Sequence, residues 1–195
     1  TAKNSPIHSV KDLSGKSIAV TTISDMQQFA CEKWIDQQGV DAKSVSFVEL
    51  PVTEMPVALS TGRIAAAVLL EPILSQNKGA VRMIGKPQEA IANKFLITNW
   101  FSTIDWIARN PATEQKFAAV MRKTAAWANT HPKETAAILE KYSKVSRDVI
   151  MTENRVLYAD AAAPAWIQPV IDILAEYKVI PRSFPSTELI ALGGR

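Results

Sequence analysis

The chain has 195 residues, 47% of them hydrophobic, enough for one sizeable domain or two small ones with a real core. Lys and Arg outnumber Asp and Glu by 22 to 19, but the resulting +3 is scattered singly or in pairs, too mild and dispersed to argue for a nucleic-acid partner. The single cysteine, Cys31, excludes an internal disulfide and a thiolate metal cluster, and no apolar run approaches the roughly 20 residues of a membrane-spanning helix.

The opening TAKNSPIHSV has neither an initiator Met nor the apolar h-region of a signal peptide, so the first residue reads as a processing boundary. KSIAVTT is a short β-branched run and reads as a strand. DMQQFACEKWIDQQ then sets Met26, Phe29, Ala30 and Trp34 at helical spacing before Gly39, which suits a helix C-cap. VSFVEL reads as the next strand. TEMPVALSTG reads as a helix with Thr53 at its N-cap, Pro56 in its first turn and Gly62 as its stop. IAAAVLL is a third strand, PILSQNKG a short helix closed by Gly79, and AVRMIG a fourth strand. Runs that are apolar throughout, separated by helices, predict an α/β fold: a parallel sheet flanked by helices from about Lys16 to Gly85, with Val20, Val48, Val68 and Leu69 buried.

After about Ala90 the texture changes. NKFLITNW could add one more strand, but from Asn110 onward the patterns are helical. They are NPATEQKFAAVMRKTAAWANT with Asn110 as cap and Pro111 at the first helical position, PKETAAILEKY, SRDVIMTENRVLYAD and WIQPVIDILAEYK. The α/β portion therefore spans residues 1–100 and a C-terminal helical portion 101–195, with the boundary between Lys94 and Ile104. Phe117, Val120, Met121 and Trp127 on one helix, and Ile167, Val170, Ile171 and Leu174 on another, form apolar faces wide enough to need a partner. A homodimer is one way to supply it.

Candidate chemistry concentrates where strands end. In VTTISD, Thr21, Thr22 and Ser24 stand between a strand and a helix whose first N–H groups and dipole favour an anion. The alternative is that Ser24 or Asp25 simply caps the helix. Glu71 in LLEPIL is either a favourable charge near a helix start or an acceptor for a ligand amine or hydroxyl. Trp100, in TNWF, could wall a cleft or pack in a core. GxGxxG, Walker, GxSxG and HExxH signatures are absent, His131 before Pro132 suits a cap between helices, and Cys31 amid apolar helix residues reads as packing. No catalytic residue, metal ligand or cofactor is expected.

Three stretches in order, SPIHSVKDLSGKSIAV, VELPVTEMPVALSTGRIAAAVLLEPIL and TIDWIARNPATEQKFAAVMRKTAAWANTHPKETAAIL, resemble the nitrate, sulfonate and taurine type of substrate-binding protein that feeds ABC importers, a group that includes binders of a thiamin pyrimidine precursor. The resemblance implies lobe two of a type II periplasmic-binding fold, followed by helices that would complete lobe one. It implies a small anionic or zwitterionic ligand held by Thr21, Thr22, Ser24, Glu71 and Trp100, an ABC permease as partner, and a periplasmic or lipid-anchored extracytoplasmic location. Relatives carry a further segment of lobe one ahead of the SPI…KDL stretch, and this chain begins at that stretch. The alternative is an enzyme on the same fold, desulfinase-like or pyrimidine-synthase-like, with its catalytic residues in that leading segment.

Overall fold

The computed structural model describes residues 1–190. KSIAV forms β1 (Ser17–Val20), the middle strand of a three-stranded sheet in which β2 (Ser46–Glu49) and β3 (Ala66–Ala67) pair with it in parallel on either side. Its alternation explains why the run is apolar throughout. Ile18 and Val20 enter one cluster with Leu13, Cys31 and Ile35, while Ala19 enters another with Met55, Ala58, Leu59 and Ile64. Both faces of β1 are therefore core.

Parallel strands need crossovers. α1 (Met26–Gln37) and α2 (Met55–Ser60) supply two, and the short α3 (Ile73–Gln76) follows β3. Gly39 and Gly62, just past the ends of α1 and α2, take φ of +79° and +73°, the left-handed geometry expected of helix stops. Pro56 lies in the first turn of α2 as expected, but the N-cap position is Glu54 rather than Thr53.

The predicted burial of Val20 and Val68 holds, whereas Val48 and Leu69 are half-buried. Val48 lies on the edge strand β2 and Leu69 lies past the end of β3, so each lacks a covering neighbour on one side. Among the described residues the fourth strand does not form. Val81 of AVRMIG makes an isolated antiparallel bridge to Ala2. Arg82 donates from its guanidinium to the carbonyls of Lys3, Ser5 and Ile7. A strand buried on both faces has no room for a guanidinium, so this segment ties down the first residues of the chain instead. NKFLITNW is likewise not a strand, and Ile97 within it is largely exposed.

The described chain divides into two units. The first comprises Thr1–Lys94 with Asp172–Ser183, and the second comprises Phe95–Ile171 with the residues from Phe184. The second contains α4 (Ile104–Arg109), α5 (Pro111–Thr130), α6 (Pro132–Ser143) and α7 (Arg147–Thr152), and α8 (Pro164–Glu176) runs from it into the first. Asn110 and Pro111 open α5 as expected, and His131 sits between α5 and α6 at the cap position of both. Its ring stacks on Trp127 at 4.8 Å, and its Nδ1 lies 2.8 Å from the Trp127 carbonyl.

The helix expected from SRDVIMTENRVLYAD stops at Thr152. Tertiary bonds take over there: Arg155 donates to the Thr135 hydroxyl and the Pro132 carbonyl, and Asn129 exchanges two hydrogen bonds with the Tyr158 backbone. Ala136, Val145 and Ile150 form a small core between α6 and α7, but α5 buries no residue. Phe117, Val120 and Trp127 on it are 47%, 61% and 38% exposed. In the first unit, Tyr177 stacks on Phe29 at 5.1 Å and Glu176 pairs with Lys33, holding the end of α8 on α1.

One contact within the first unit gives a direct test of packing. A Cβ on Gly85 would stand 2.1 Å from Cζ2 and 2.6 Å from Cε2 of Trp34, whose indole packs against the core around β1. Gly85→Ala must displace that ring or the backbone, so it is expected to lower stability by about 1–3 kcal/mol. Urea unfolding checks this, and an unchanged midpoint would mean the indole relaxes freely.

Candidate functional site

All strands of the sheet point the same way, so the loops after β1, β2 and β3 collect at one rim of the first unit, where open α/β sheets take ligands. The first loop carries three of the predicted residues. Thr21 is half-buried and its hydroxyl donates to Gln27 Oε1 at 3.1 Å, so it is engaged in shaping the loop. Thr22 is exposed, and its hydroxyl has no partner among the described residues. Ser24 is exposed with φ +61°, a left-handed conformation uncommon for serine that marks a constrained turn. Its N–H donates to Gln28 Oε1 at 2.8 Å.

The cap of α1 is Asp25, not Ser24. Its Oδ1 accepts from the N–H groups of Gln27 and Gln28 at 2.9 and 3.1 Å. Those are two of the donors that a bare anion at this helix start would need, and the carboxylate already lends the helix dipole its negative charge. The loop is closed from the other side by Glu49 at the end of β2, whose Oε2 accepts from the Ile23 N–H at 3.0 Å. Glu71 follows β3, and its Oε2 accepts from the Ser75 N–H at 2.9 Å at the start of α3. Each of the three strands thus ends beside a carboxylate that accepts a backbone N–H. Hydroxyls and carboxylates on such a rim suit a ligand that itself brings hydrogen-bond donors.

Trp100 belongs to the second unit, 75% exposed and edge-on to Phe117 with ring centroids 5.6 Å apart. The structure therefore brings Thr21, Thr22, Ser24 and Glu71 onto one unit, with Trp100 on the other. Glu49 is not among the residues predicted for the rim, although it shows the same signal as Glu71, a lone charge closing an apolar strand.

Among the described residues no group of three or more His, Cys, Asp or Glu is disposed to hold a metal ion, and no helix is long and apolar enough to cross a membrane. Cys31 lies in the core, where burial pushes its thiol from 9.0 up to about 12. Because the folded value is raised, burial of the neutral thiol contributes stability that is intact below about pH 9 and lost as the pH rises toward 12. A thiol reagent at pH 8 is expected to leave Cys31 unmodified in native protein and to label it fully in denaturant. Rapid labelling of the native chain would show that the helix opens there. For the rim, Asp25→Ala is expected to cost about 0.5–2 kcal/mol of stability through loss of the cap, whereas Thr22→Ala leaves the melting temperature unchanged. Equal effects of the two substitutions on thermal unfolding would show that the cap assignment is wrong.

Residues 1–135 match the family described as NMT1/THI5 like. A comparison with curated protein sequences finds no match. Among solved structures, the chain is similar to the periplasmic aliphatic sulphonate binding protein SsuA from Escherichia coli, at 21% identity and a TM-score of 0.73 over 97% of this chain and 63% of that one. It is also similar to the alkanesulfonate-binding protein SsuA from Xanthomonas axonopodis pv. citri bound to MOPS, at 15% identity and a TM-score of 0.76 over 97% and 67%. A third similar structure is a ligand-binding component of an ABC-type import system from Staphylococcus aureus, at 15% identity and a TM-score of 0.73 over 96% and 66%. The chain thus spans less than two thirds of the length of the Escherichia coli protein.

Proposed function

We propose that this chain, which belongs to the NMT1/THI5-like family, serves as the solute-binding part of an ABC importer. The observation that carries the reading is the rim at the ends of three parallel strands, whose loops carry the exposed Thr22 and Ser24 and the carboxylates of Asp25, Glu49 and Glu71. Its likeness to two sulfonate-binding proteins and to a ligand-binding component of an ABC-type import system supports it. The work is capture and release without a covalent step: a ligand favours whichever conformation it contacts better, and an importer permease receives it. Such a protein acts outside the cytoplasm, in the periplasm or on a lipid anchor. Because the rim carboxylates already hold the backbone N–H groups, the ligand we favour is zwitterionic or rich in donors, such as an aminosulfonate or an aminopyrimidine, rather than nitrate.

The enzyme alternative draws little from this chain. Cys31 is buried with its thiol raised far above neutrality, and the His131 ring is stacked on Trp127 and engaged with its carbonyl. Association of two copies through the exposed face of α5 remains part of the proposal, supported by the exposure of Phe117 and Val120. Light scattering at micromolar concentration tests it, and a monomer of 21.4 kDa would remove it.

The function is tested by thermal-shift and calorimetric titration with aminosulfonates, aminopyrimidines, simple sulfonates and nitrate. A donor-bearing compound is expected to raise the melting temperature and bind best, and Thr22→Ala should weaken it by roughly 1.5–3 kcal/mol if that hydroxyl meets a charged group. No shift with any class at millimolar concentration would overturn the reading, and a preference for nitrate would overturn the ligand class.

A further inference from the structure

A groove in the first unit has a chemistry that solute capture does not use. It is lined by one flank of α1, carrying Gln28, Glu32 and Asp36, by Phe47 of β2 and Val45 just before it, and by Ile23 and Tyr177, with a volume of about 370 Å³. Ile23, Ala42, Val45 and Phe47 make part of its lining apolar. Glu32 and Asp36 stand one helical turn apart on its wall, and Lys43 is the basic residue that lines it. In a chain of net charge +3 this is a local reversal of sign. The Tyr177 phenol reports the same field: burial first, then Glu32, Asp36 and Glu176, hold its proton on well above the usual range.

β2 is an edge strand among the described residues. Ser46 and Leu50 direct their N–H groups to β1, so by the alternation of a parallel ladder Phe47 and Glu49 turn their backbone groups outward. An extended segment pairing there would place every second side chain in the groove, about 6.6–6.8 Å apart. Four residues of helix rise about 6 Å, the interval that separates Gln28, Glu32 and Asp36 along α1. The repeat of a strand and the repeat of this helix flank coincide.

We propose that this groove docks an extended segment of a partner protein carrying Arg or Lys at alternate positions, its backbone added to β2 and its cations facing Glu32 and Asp36. Charge complementarity selects the occupant: long basic side chains lay their stems over Phe47 and Val45 and bring their charges to the two carboxylates. The proposal does not depend on which solute the rim takes.

The probe is the capped pentapeptide Arg-Val-Arg-Val-Arg, titrated into the isotopically labelled chain with no solute present and compared with Glu-Val-Glu-Val-Glu and with arginine amide. The basic peptide is expected to shift the amides of Phe47 and Glu49 and to weaken as salt rises. Glu32→Gln with Asp36→Asn should weaken it about three- to tenfold. Those substitutions keep an acceptor for Gln28 Nε2 and for the Ala42 N–H, so the fold is retained. Equal binding of the acidic peptide, or shifts away from β2, would overturn the proposal. So would arginine amide binding as tightly as the peptide, which would make this a small-cation site, or concentration-dependent shifts of the same amides without peptide, which would make it a contact between copies.

Discussion

Two parallel strands cannot be joined by a tight turn, and most of what this protein presents to its surroundings follows from that constraint. Each return to the start of the next strand requires a crossover, so β1, β2 and β3 all end on one side, and the loops after them meet there whatever their composition. The crossover helices also bury the sheet. β1 sends Ile18 and Val20 to one cluster and Ala19 to the other, and this is why KSIAV carries no polar residue after Ser17. Polar side chains are thereby displaced to the strand ends. The rim of hydroxyls and carboxylates is in this sense a consequence of the buried sheet, before any ligand is considered.

The second unit obeys a different balance. α6 and α7 close a small core around Ala136, Val145 and Ile150, and the Arg155 and Asn129 bonds fasten the following segment to the helix junction. α5 contributes no residue to a buried interior. Most of the stability of an amphipathic helix comes from packing, and Phe117, Val120 and Trp127, each more than a third exposed, recover only part of it. Its start at Pro111 and its end at His131 are set locally, by a ring that fixes φ and by a histidine stacked on Trp127, rather than by packing.

What could be read in the residues divides along the same physical line. Features decided within a few positions were legible: the helical spacing from Met26 to Trp34, the stops at Gly39 and Gly62, Pro111 at a helix start, His131 at a junction. Features decided by a distant partner were not. AVRMIG has the composition of a strand, but Arg82 is bound to the carbonyls of Lys3, Ser5 and Ile7, and nothing near it in the chain announces them. SRDVIMTENRVLYAD keeps a helical pattern past Thr152, where bonds to Thr135 and Asn129 take its backbone elsewhere. At the rim, Thr22, Ser24, Glu49 and Glu71 are all marked as candidates by residue type and by their place at strand ends, while the bond from the Ile23 N–H to Glu49 depends on the fold.

The rim settles which residue caps the helix and leaves the neighbouring hydroxyls out of that role. Asp25 supplies the cap, so stability rests on a carboxylate whose bonds to Gln27 and Gln28 are internal. With that role filled, neither Thr22 nor Ser24 is needed to satisfy the helix, and the left-handed turn at Ser24 exposes its side chain at the loop's surface. A helix start left open would draw any small anion through its dipole and bare N–H groups. One closed by its own carboxylate repels that class, since a second negative charge would have to compete for donors already engaged. The bond that stabilises α1 therefore also occupies the donors that a simple anion would use, and this is the physical ground for proposing a ligand that brings donors of its own.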